Sequence, residues 1–339
     1  MKQYLIPDTG RFYKANLHCH SSVSDGKRTP QEIKEIYMAH GYSIVAYTDH
    51  DVLIPHPELR SDDFLPLNGF EAEVDEQGSA DWANRKVCHI CFIAKDPDNV
   101  TMPFYHRSGY IWGNAEKYRP QLKYDESQPD YEREYSHAGI SDMMRRGRDA
   151  GFFVTYNHPT WSRQDRSDYM GYDGMHAMEI MNYTCWIGGY LDYNPRVYDD
   201  LLAAGKRIYA IAADDNHGWS ADECGGWTMI KADRLDYKAI TDALEKGHFY
   251  ASWGPEIHEL WVEGDMIHIT CSPASRIIVT YQSRRSYAVN GENLTEASFK
   301  LRPDDGYVRI TVVDEKGRCA DTNAYFMNDL LEQDPSTAP

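Results

Sequence analysis

Short apolar runs that stop at a histidine or a carboxylate recur along most of this 339-residue chain, and that repetition constrains the fold more than any other feature. The first run, "NLHCHSSVSDG", carries His18, His20 and Asp25. Residues two apart on an extended strand leave the same face, so His18 and His20 project together. Asp25 sits in a Ser-Asp-Gly turn, where an Asx-turn role competes with ligation. "YSIVAYTDH" ends at His50, and "LPLNGFEAEV" carries Glu71 and Glu73 on one face. His89 interrupts "KVCHICFIA", His158 ends "FFVTYNHP", and Asp215 and His217 end "RIYAIAADDNH". One buried histidine is usually a hydrogen-bonded core residue. Here the same coincidence has to repeat on strand after strand, at a desolvation cost each time.

Helical segments separate the runs. In "RTPQEIKEIYMAHG", Thr29 suits an N-cap, Pro30 suits the first helical position, and Ile33, Ile36 and Tyr37 form one apolar stripe. "SHAGISDMMRRGRDAG", "NPRVYDDLLAAGK" and "LDYKAITDALEKG" continue the alternation. Strand and helix in turn predict an α/β barrel with its reactive groups at the C-terminal rim. Past "GHFYASWGP" the pattern changes to short alternating runs broken by turn residues, which predicts a small all-β sandwich. In that sandwich Trp261 and Tyr281 are either core residues or an exposed aromatic platform. The expected organisation is a barrel domain over 1–254, a β-sandwich over 255–332 and a disordered tail over 333–339. Residues 96–135, rich in aromatic and charged side chains, fit neither rhythm. They read either as a lid bringing Tyr105, His106, Arg107, Tyr110 or Trp112 to a substrate, or as a packed surface excursion.

Composition narrows the functions. The formal charge of -18 disfavours long nucleic acid and anionic membrane as partners. The start of the chain has neither a basic n-region nor an apolar h-region, and no run is long enough to span a bilayer, so a cytoplasmic location is expected. Seven scattered cysteines give no disulfide framework. Cys88 and Cys91 form a single C-x-x-C in an apolar run and read as buried thiols, with redox or metal roles as the competitor.

The strand-end groups His18, His20, Asp25, His50, one of Glu71 and Glu73, His89, His158, Asp215 and His217 mix imidazole with carboxylate, which suits Zn, Mn or Fe rather than Ca. They exceed the needs of one tetrahedral ion and imply two or three divalent ions. Asp49 and Asp214, each next to one of them, and Glu179 stand beside them as structural or ligand-orienting residues.

Taken in order, "NLHCHSSVSDG...TP", "TDH", "GFEAEV", His89, "NHP" and "DNH" resemble the signatures of the PHP (polymerase and histidinol phosphatase) superfamily over roughly residues 12–254. The segment from "GHFYASWGP" resembles the β-domain of a stand-alone hydrolase subset that includes proteins assigned as carbamate hydrolases. The resemblance implies a distorted seven-stranded β/α barrel with a di- or trinuclear metal centre. It also implies a division of ligands: His18, His20, Glu71 and Asp215 on one ion, Glu71 bridging to a second held by His89 and His158, and Asp25, His50 and His217 on a third.

The leading expectation is a metal-dependent phosphoesterase cleaving a small-molecule phosphate mono- or diester with a metal-activated hydroxide. A third ion, or protonated His50 or His217 beside Asp25, assists departure of the alcohol. Lys27, Arg28, Arg107 and Arg163 are candidates for holding substrate charge, against a plain reading as solvated surface cations. Three alternatives stand behind this one: a carbamate, ester or amide hydrolase, an exonuclease on short oligonucleotides, and a non-catalytic metal-stabilised binding protein. Oligomeric state is not legible.

Overall fold

The structure, a computed structural model, describes residues 2–78 and 81–331. The expected tail at 333–339 lies outside the described residues. In chain order the first half runs β1 (Gln3–Tyr4), β2 (Arg11–Asn16), α1 (Pro30–Ala39), β3 (Ile44–Tyr47), β4 (Leu65–Asp75), β5 (Val87–Ala94), β6 (Thr101–Met102), β7 (Lys123–Tyr124), α2 (His137–Asp149) and β8 (Phe152–Tyr156). Then come α3 (Arg166–Tyr169), β9 (Ala177–Asn182), α4 (Tyr183–Cys185), α5 (Pro195–Ala203), β10 (Tyr209–Ala213), β11 (Trp227–Ala232), α6 (Tyr237–Lys246) and β12 (Phe249–Ser252). The remaining strands are β13 (Ile257–Glu263), β14 (Met266–Tyr281), β15 (Tyr287–Lys300), β16 (Tyr307–Val313), β17 (Cys319–Thr322) and β18 (Tyr325–Phe326).

Local chemistry explains the first helix. Thr29 accepts from the Glu32 amide at 3.2 Å while the Glu32 carboxylate accepts from the Thr29 amide at 2.8 Å, a reciprocal capping box with Pro30 behind it. Ile33 and Tyr37 are buried beneath the helix.

Strands β2, β3 and β4 are mutually parallel, as are β8, β9 and β10. Strand β5 lies between the two sets, antiparallel to both β4 and β8. All six parallel strands therefore point the same way, and their C-terminal ends share one rim. Among the described residues, the connection between β4 and β5 holds one 3-10 turn, Trp82–Asn84, and no α-helix. Among the described residues, β10 makes no ladder with β11 or β2, so the sheet is an open path rather than the closed barrel expected from the sequence. The reason is visible at the gap. The Thr228 hydroxyl donates to the Ala212 carbonyl at 3.0 Å and lies 3.2 Å from the Ala212 amide, occupying both backbone groups that a ladder would use.

The last six strands are antiparallel and continue the same hydrogen-bonded sheet through the β12–β17 pair. β14 pairs with β13 along Met266–Cys271 and with β16 along Arg276–Tyr281, and its register shifts around Ala274. The two halves of β14 thus serve different partners around one core containing Leu260, Ile269, Ile277, Val279 and Ile310. The start of the chain joins them: Gln3 pairs with Val262, and Ile6 enters that core. Trp261 presents no free platform, since His268 stacks on it at 5.0 Å and the Lys2 ammonium lies 4.1 Å from its ring. Tyr281 is buried, and its hydroxyl donates to the Lys300 carbonyl.

The 96–135 segment is tied down. Phe104 packs edge-on against Phe70 and Phe92, and Arg119 donates to the Arg107 carbonyl at 3.1 Å and to the Ile111 carbonyl at 3.3 Å. Arg133, nearly buried, joins the Asp51 carboxylate and donates to the Glu73 carbonyl at 2.6 Å.

His176 supplies a pH-dependent element remote from the rim. Its ring stacks on Phe153 at 5.0 Å, and its Nδ1 accepts from the Val154 amide at 3.0 Å. Burial, reinforced by Arg148 and Lys95, pushes its pKa from the ordinary 6.5 down to about 3. The unfolded chain therefore binds the extra proton first, so the contribution is complete above about pH 6.5 and is lost as pH falls toward 3. His176→Gln, which keeps an acceptor but does not titrate, is expected to lose roughly 2 kcal/mol less stability than wild type between pH 7 and pH 4. Urea unfolding at the two pH values checks this, and parallel losses in both proteins would contradict it.

Candidate metal centre

The parallel strands deliver the chemistry to one rim. His18 and His20 follow β2, His50 follows β3, Glu71 lies within β4, His158 follows β8, and Asp215 and His217 follow β10. His89 comes from β5, where Glu73 is its cross-strand partner. Because β5 runs backwards, the beginning of that strand meets the ends of the others, which is why His89 interrupts its apolar run instead of ending it.

Glu71 is the hub, fully buried. Its Oε1 lies 3.1 Å from His18 Nε2, 3.2 Å from His89 Nδ1 and 3.4 Å from His158 Nε2. Its Oε2 lies 3.3 Å from both His20 Nε2 and His50 Nδ1. Asp215 Oδ1 approaches His18 Nε2 at 3.2 Å and His20 Nε2 at 3.1 Å. Asp25 faces His217 Nε2 at 3.4 Å, His20 Nδ1 at 3.7 Å and His50 Nε2 at 3.8 Å. Four groups have donor atoms close enough for one ion: His20, Asp25, His50 and His217; His18, His158 and Asp215; Glu71, His89 and His158; and His18, Glu71 and Cys91. All nine residues singled out in the sequence fall within these groups. His20, expected beside His18 and Glu71, also stands with Asp25, His50 and His217, because its two ring nitrogens face opposite sets.

The residues fit a cation. The buried atoms His20 Nδ1, His50 Nδ1 and Glu71 Oε2 have no hydrogen-bond partner, a costly state for polar atoms inside a protein. Burial disfavours a charged imidazole at His20, yet Asp215 and Glu71 hold its pKa up at about 10. Glu71 is itself held well below the carboxylate range, since His18, His89 and His158 overcome its burial. His50 goes the other way, to about 4, through burial and the neighbouring His20. The carboxylates thus create a field that calls for positive charge among the imidazole nitrogens. Backbone strain gathers here too: Asp51, His158 and Asp215 have φ values of 58°, 26° and 56°.

The neighbouring acids do three different things. Glu179 lies 2.6 Å from His18 Nδ1 and accepts from the His158 amide, so it fixes the His18 ring with Nε2 facing Glu71. Asp49 accepts from the amides and hydroxyls of Ser21 and Ser24, which shapes the loop carrying Asp25. Asp214 accepts from Tyr37 and from the amides of Cys224, Gly225 and Gly226, and burial raises it to about 6. Asp49 and Asp214 therefore organise backbone, not imidazole. Cys91 is a buried thiol raised to about 11 by burial, and Asn157 donates to its sulfur at 3.0 Å.

A cavity of about 550 Å³ opens onto the cluster, and Trp112, Trp161, Arg85, Arg163, Thr184, Cys185 and Tyr190 are among its lining residues. Of the four expected substrate cations, Arg163 lines it. The other three are engaged elsewhere. The Lys27 ammonium sits 3.9 Å from the Trp219 ring, Arg28 pairs with Glu223 at 3.1 Å, and Arg107 pairs with Asp130 at 2.6 Å inside the insertion. From that insertion Trp112 reaches the cavity, its ring 5.6 Å from His50, whereas Tyr105 stacks on Tyr124 and Tyr110 donates to Glu132.

Sequence reasoning missed Asn157, which donates to Glu71 Oε1 at 3.0 Å, and Asn182, which donates to Glu179 at 2.9 Å and to Asp215 at 3.1 Å. Both close apolar strands, so they carry the same signal as the histidines with an amide in place of an imidazole. Trp161, packed 5.2 Å from His89 and 5.1 Å from His158, had no comparable signal.

The arrangement defines a candidate metal centre at one rim of an α/β sheet. No family model and no curated protein matches the chain. Among solved structures it is similar to a two-domain protein containing a predicted PHP-like metal-dependent phosphoesterase from Bacteroides vulgatus, at 16% identity over 92% of this chain and 94% of that one, with a TM-score of 0.47. It is also similar to a proposed metal-dependent phosphoesterase from Bifidobacterium adolescentis, at 15% identity over 63% and 89% of the two chains, with a TM-score of 0.37. A third likeness is to an amidohydrolase from Chromobacterium violaceum with bound sulfate and no metal, at 18% identity over 61% and 89%, with a TM-score of 0.39.

Proposed function

We propose that the chain is a metal-dependent hydrolase of the PHP type that cleaves a small-molecule phosphate ester. One observation carries the reading: Glu71 faces five imidazoles with both oxygens while Asp215 closes the same cluster, a donor set sized for more than one ion. His18, His20, Glu71, His89, His158 and Asp215 would hold the inner ions, and Asp25, His50 and His217, with the second face of His20, an outer one. Zn, Mn or Fe suits these donors. Bound divalent ions supply Lewis acidity toward a phosphoryl or carbonyl oxygen and a water nucleophile near neutral pH.

The chain's own groups do the rest. Glu179 keeps His18 in the tautomer whose Nε2 lone pair faces inward. Trp161 covers one side of His89 and His158 and limits water there. Where the outer ion is not bound, His217, 3.4 Å from Asp25 at the cavity wall, is instead placed to pass a proton to the departing alcohol. His50, depressed to about 4, is less suited to that donor role.

A carbonyl ester or carbamate is the second reading, because cations are scarce beyond the cluster. Arg85 is paired with Asp75 at 3.0 Å, and Arg163 donates to the Ala83 carbonyl at 2.9 Å.

Protein purified without chelator is expected to contain two or three divalent ions and to hydrolyse p-nitrophenyl phosphate or bis-p-nitrophenyl phosphate. Chelation should remove both metal and turnover, and Mn, Zn or Fe should restore them. Bound metal with cleavage of p-nitrophenyl acetate alone selects the carbonyl reading, and failure to bind any of the three metals overturns both.

A further inference from the structure

The cavity has two unlike kinds of lining. One is the imidazole and carboxylate cluster. The other is apolar and includes Trp161, beside His89 and His158, Trp112, beside His50, and Tyr190, Val87 and Ala83. The remaining charged lining residues are Glu73 and Asp75 on one side of the balance and Arg85 and Arg163 on the other. A second phosphate on the substrate would meet those two carboxylates there, with Arg85 already paired to Asp75 and one N–H of Arg163 already given to the Ala83 carbonyl.

The segment after α4 adds an independent observation. Residues Trp186–Tyr190 form a π-helical turn interrupted at Gly189, with φ at 93°, and Leu191 follows at φ 53°. Gly189 adopts that conformation freely, but Leu191 pays for it. This strained turn leaves Ile187 at 40%, Tyr190 at 49% and Leu191 at 64% exposure, and Tyr190 is itself part of the cavity wall, with its ring 6.5 Å from Trp161. Trp112, on the opposite segment, is 44% exposed. Of these three side chains Tyr190 lines the cavity, so the turn adds a half-exposed aromatic edge to its wall, a surface suited to an apolar group.

We propose that the group attached to the cleaved ester oxygen is aromatic, about one or two rings in size, and that Trp161 and Tyr190 seat it. The proposal rests on the hydrolase reading above and sets the substrate class: an ester with a single anionic or neutral reacting head and an uncharged aryl or arylalkyl tail. Trp161 is the specificity-determining residue, since one part of its indole faces the histidines and the rest faces the tail. Its ring is tilted 59° from His89 and 86° from His158, which leaves the indole standing as a wall rather than lying flat over the cluster.

The test compares benzyl phosphate with methyl phosphate, and benzyl acetate with methyl acetate, on the metal-loaded protein. The two leaving alcohols of each pair are primary and alike in basicity, so their ratio reads the pocket rather than the chemistry. Wild type is expected to favour the benzyl ester by about thirtyfold in kcat/KM, from burial of one ring. Tyr190→Ala and Trp161→Ala should each reduce that ratio to about fivefold or less. Tyr190 is half exposed, so its variant tests the idea even where Trp161→Ala does not fold. A wild-type ratio near one, or a ratio that neither variant changes, overturns the proposal. If none of the four esters is cleaved, the p-nitrophenyl substrates decide the hydrolase reading separately, and calorimetry with benzylphosphonate against methylphosphonate decides the pocket: preference for the benzyl ligand that Tyr190→Ala removes supports the aromatic seat, and equal binding overturns it.

Discussion

Glu71→Gln is expected to lower hydrolysis by about a thousandfold or more and to reduce bound metal to at most one ion per chain, while the circular dichroism spectrum stays that of the folded protein. The size of the effect follows from position. Both oxygens of Glu71 serve several imidazoles at once, and no neighbouring carboxylate reaches His89 and His50 together as Glu71 does. Glutamine keeps the shape and one oxygen acceptor but removes the charge, so His18, His89 and His158 lose the anion they face. The fold survives because β4 is held by its ladders to β3 and β5, which involve backbone. Metal analysis and turnover on the same preparation check the two halves of the expectation. Wild-type turnover at saturating metal would remove Glu71 from the centre.

The second large effect is on stability, far from the rim. Arg309, on β16, is buried and forks onto Asp199 of α5 at 2.8 Å through both Nε and a terminal nitrogen. Its other terminal nitrogen meets Thr311 at 3.0 Å and Asp321 at 3.4 Å. Arg309→Ala leaves the buried Asp321 without its cation and opens a cavity, and is expected to cost roughly 3–5 kcal/mol. For a chain of this size that lowers Tm by roughly 4–7 °C. Combining Arg309→Met with Asp321→Asn should recover part of the loss, since much of the cost is the uncompensated charge and not a missing attraction. Differential scanning calorimetry distinguishes the cases. A loss below about 1 kcal/mol would show that water already screens the cluster.

How much of this was legible depended on what each residue had to do. The strand-end histidines were readable because burying an imidazole requires a reason, and several reasons in the same place are hard to arrange by chance. Thr29 and Pro30 were readable because helix capping is local. The open path of the sheet was not, since it hangs on the Thr228 hydroxyl meeting Ala212, a contact between segments whose own patterns look ordinary. The reversed direction of β5 was equally hidden: an apolar strand has the same composition whichever way it runs. The cations Lys27, Arg28 and Arg107 illustrate a further limit. Nearness in sequence to a ligand says where a charge begins, while Trp219, Glu223 and Asp130 decide where it ends.

The hairpin of β4 and β5 has a consequence for how such a protein changes over time. Glu71 and His89 are fixed by cross-strand register, so a slip of one residue would turn both away from the centre. The connection between the two strands supplies Ala83 and Arg85 to the far wall of the cavity. Insertions and substitutions in that connection leave the register intact. Selection can therefore retool which molecules are accepted while the reactive machinery is inherited untouched, and diversification of substrate choice needs no passage through an inactive ancestor.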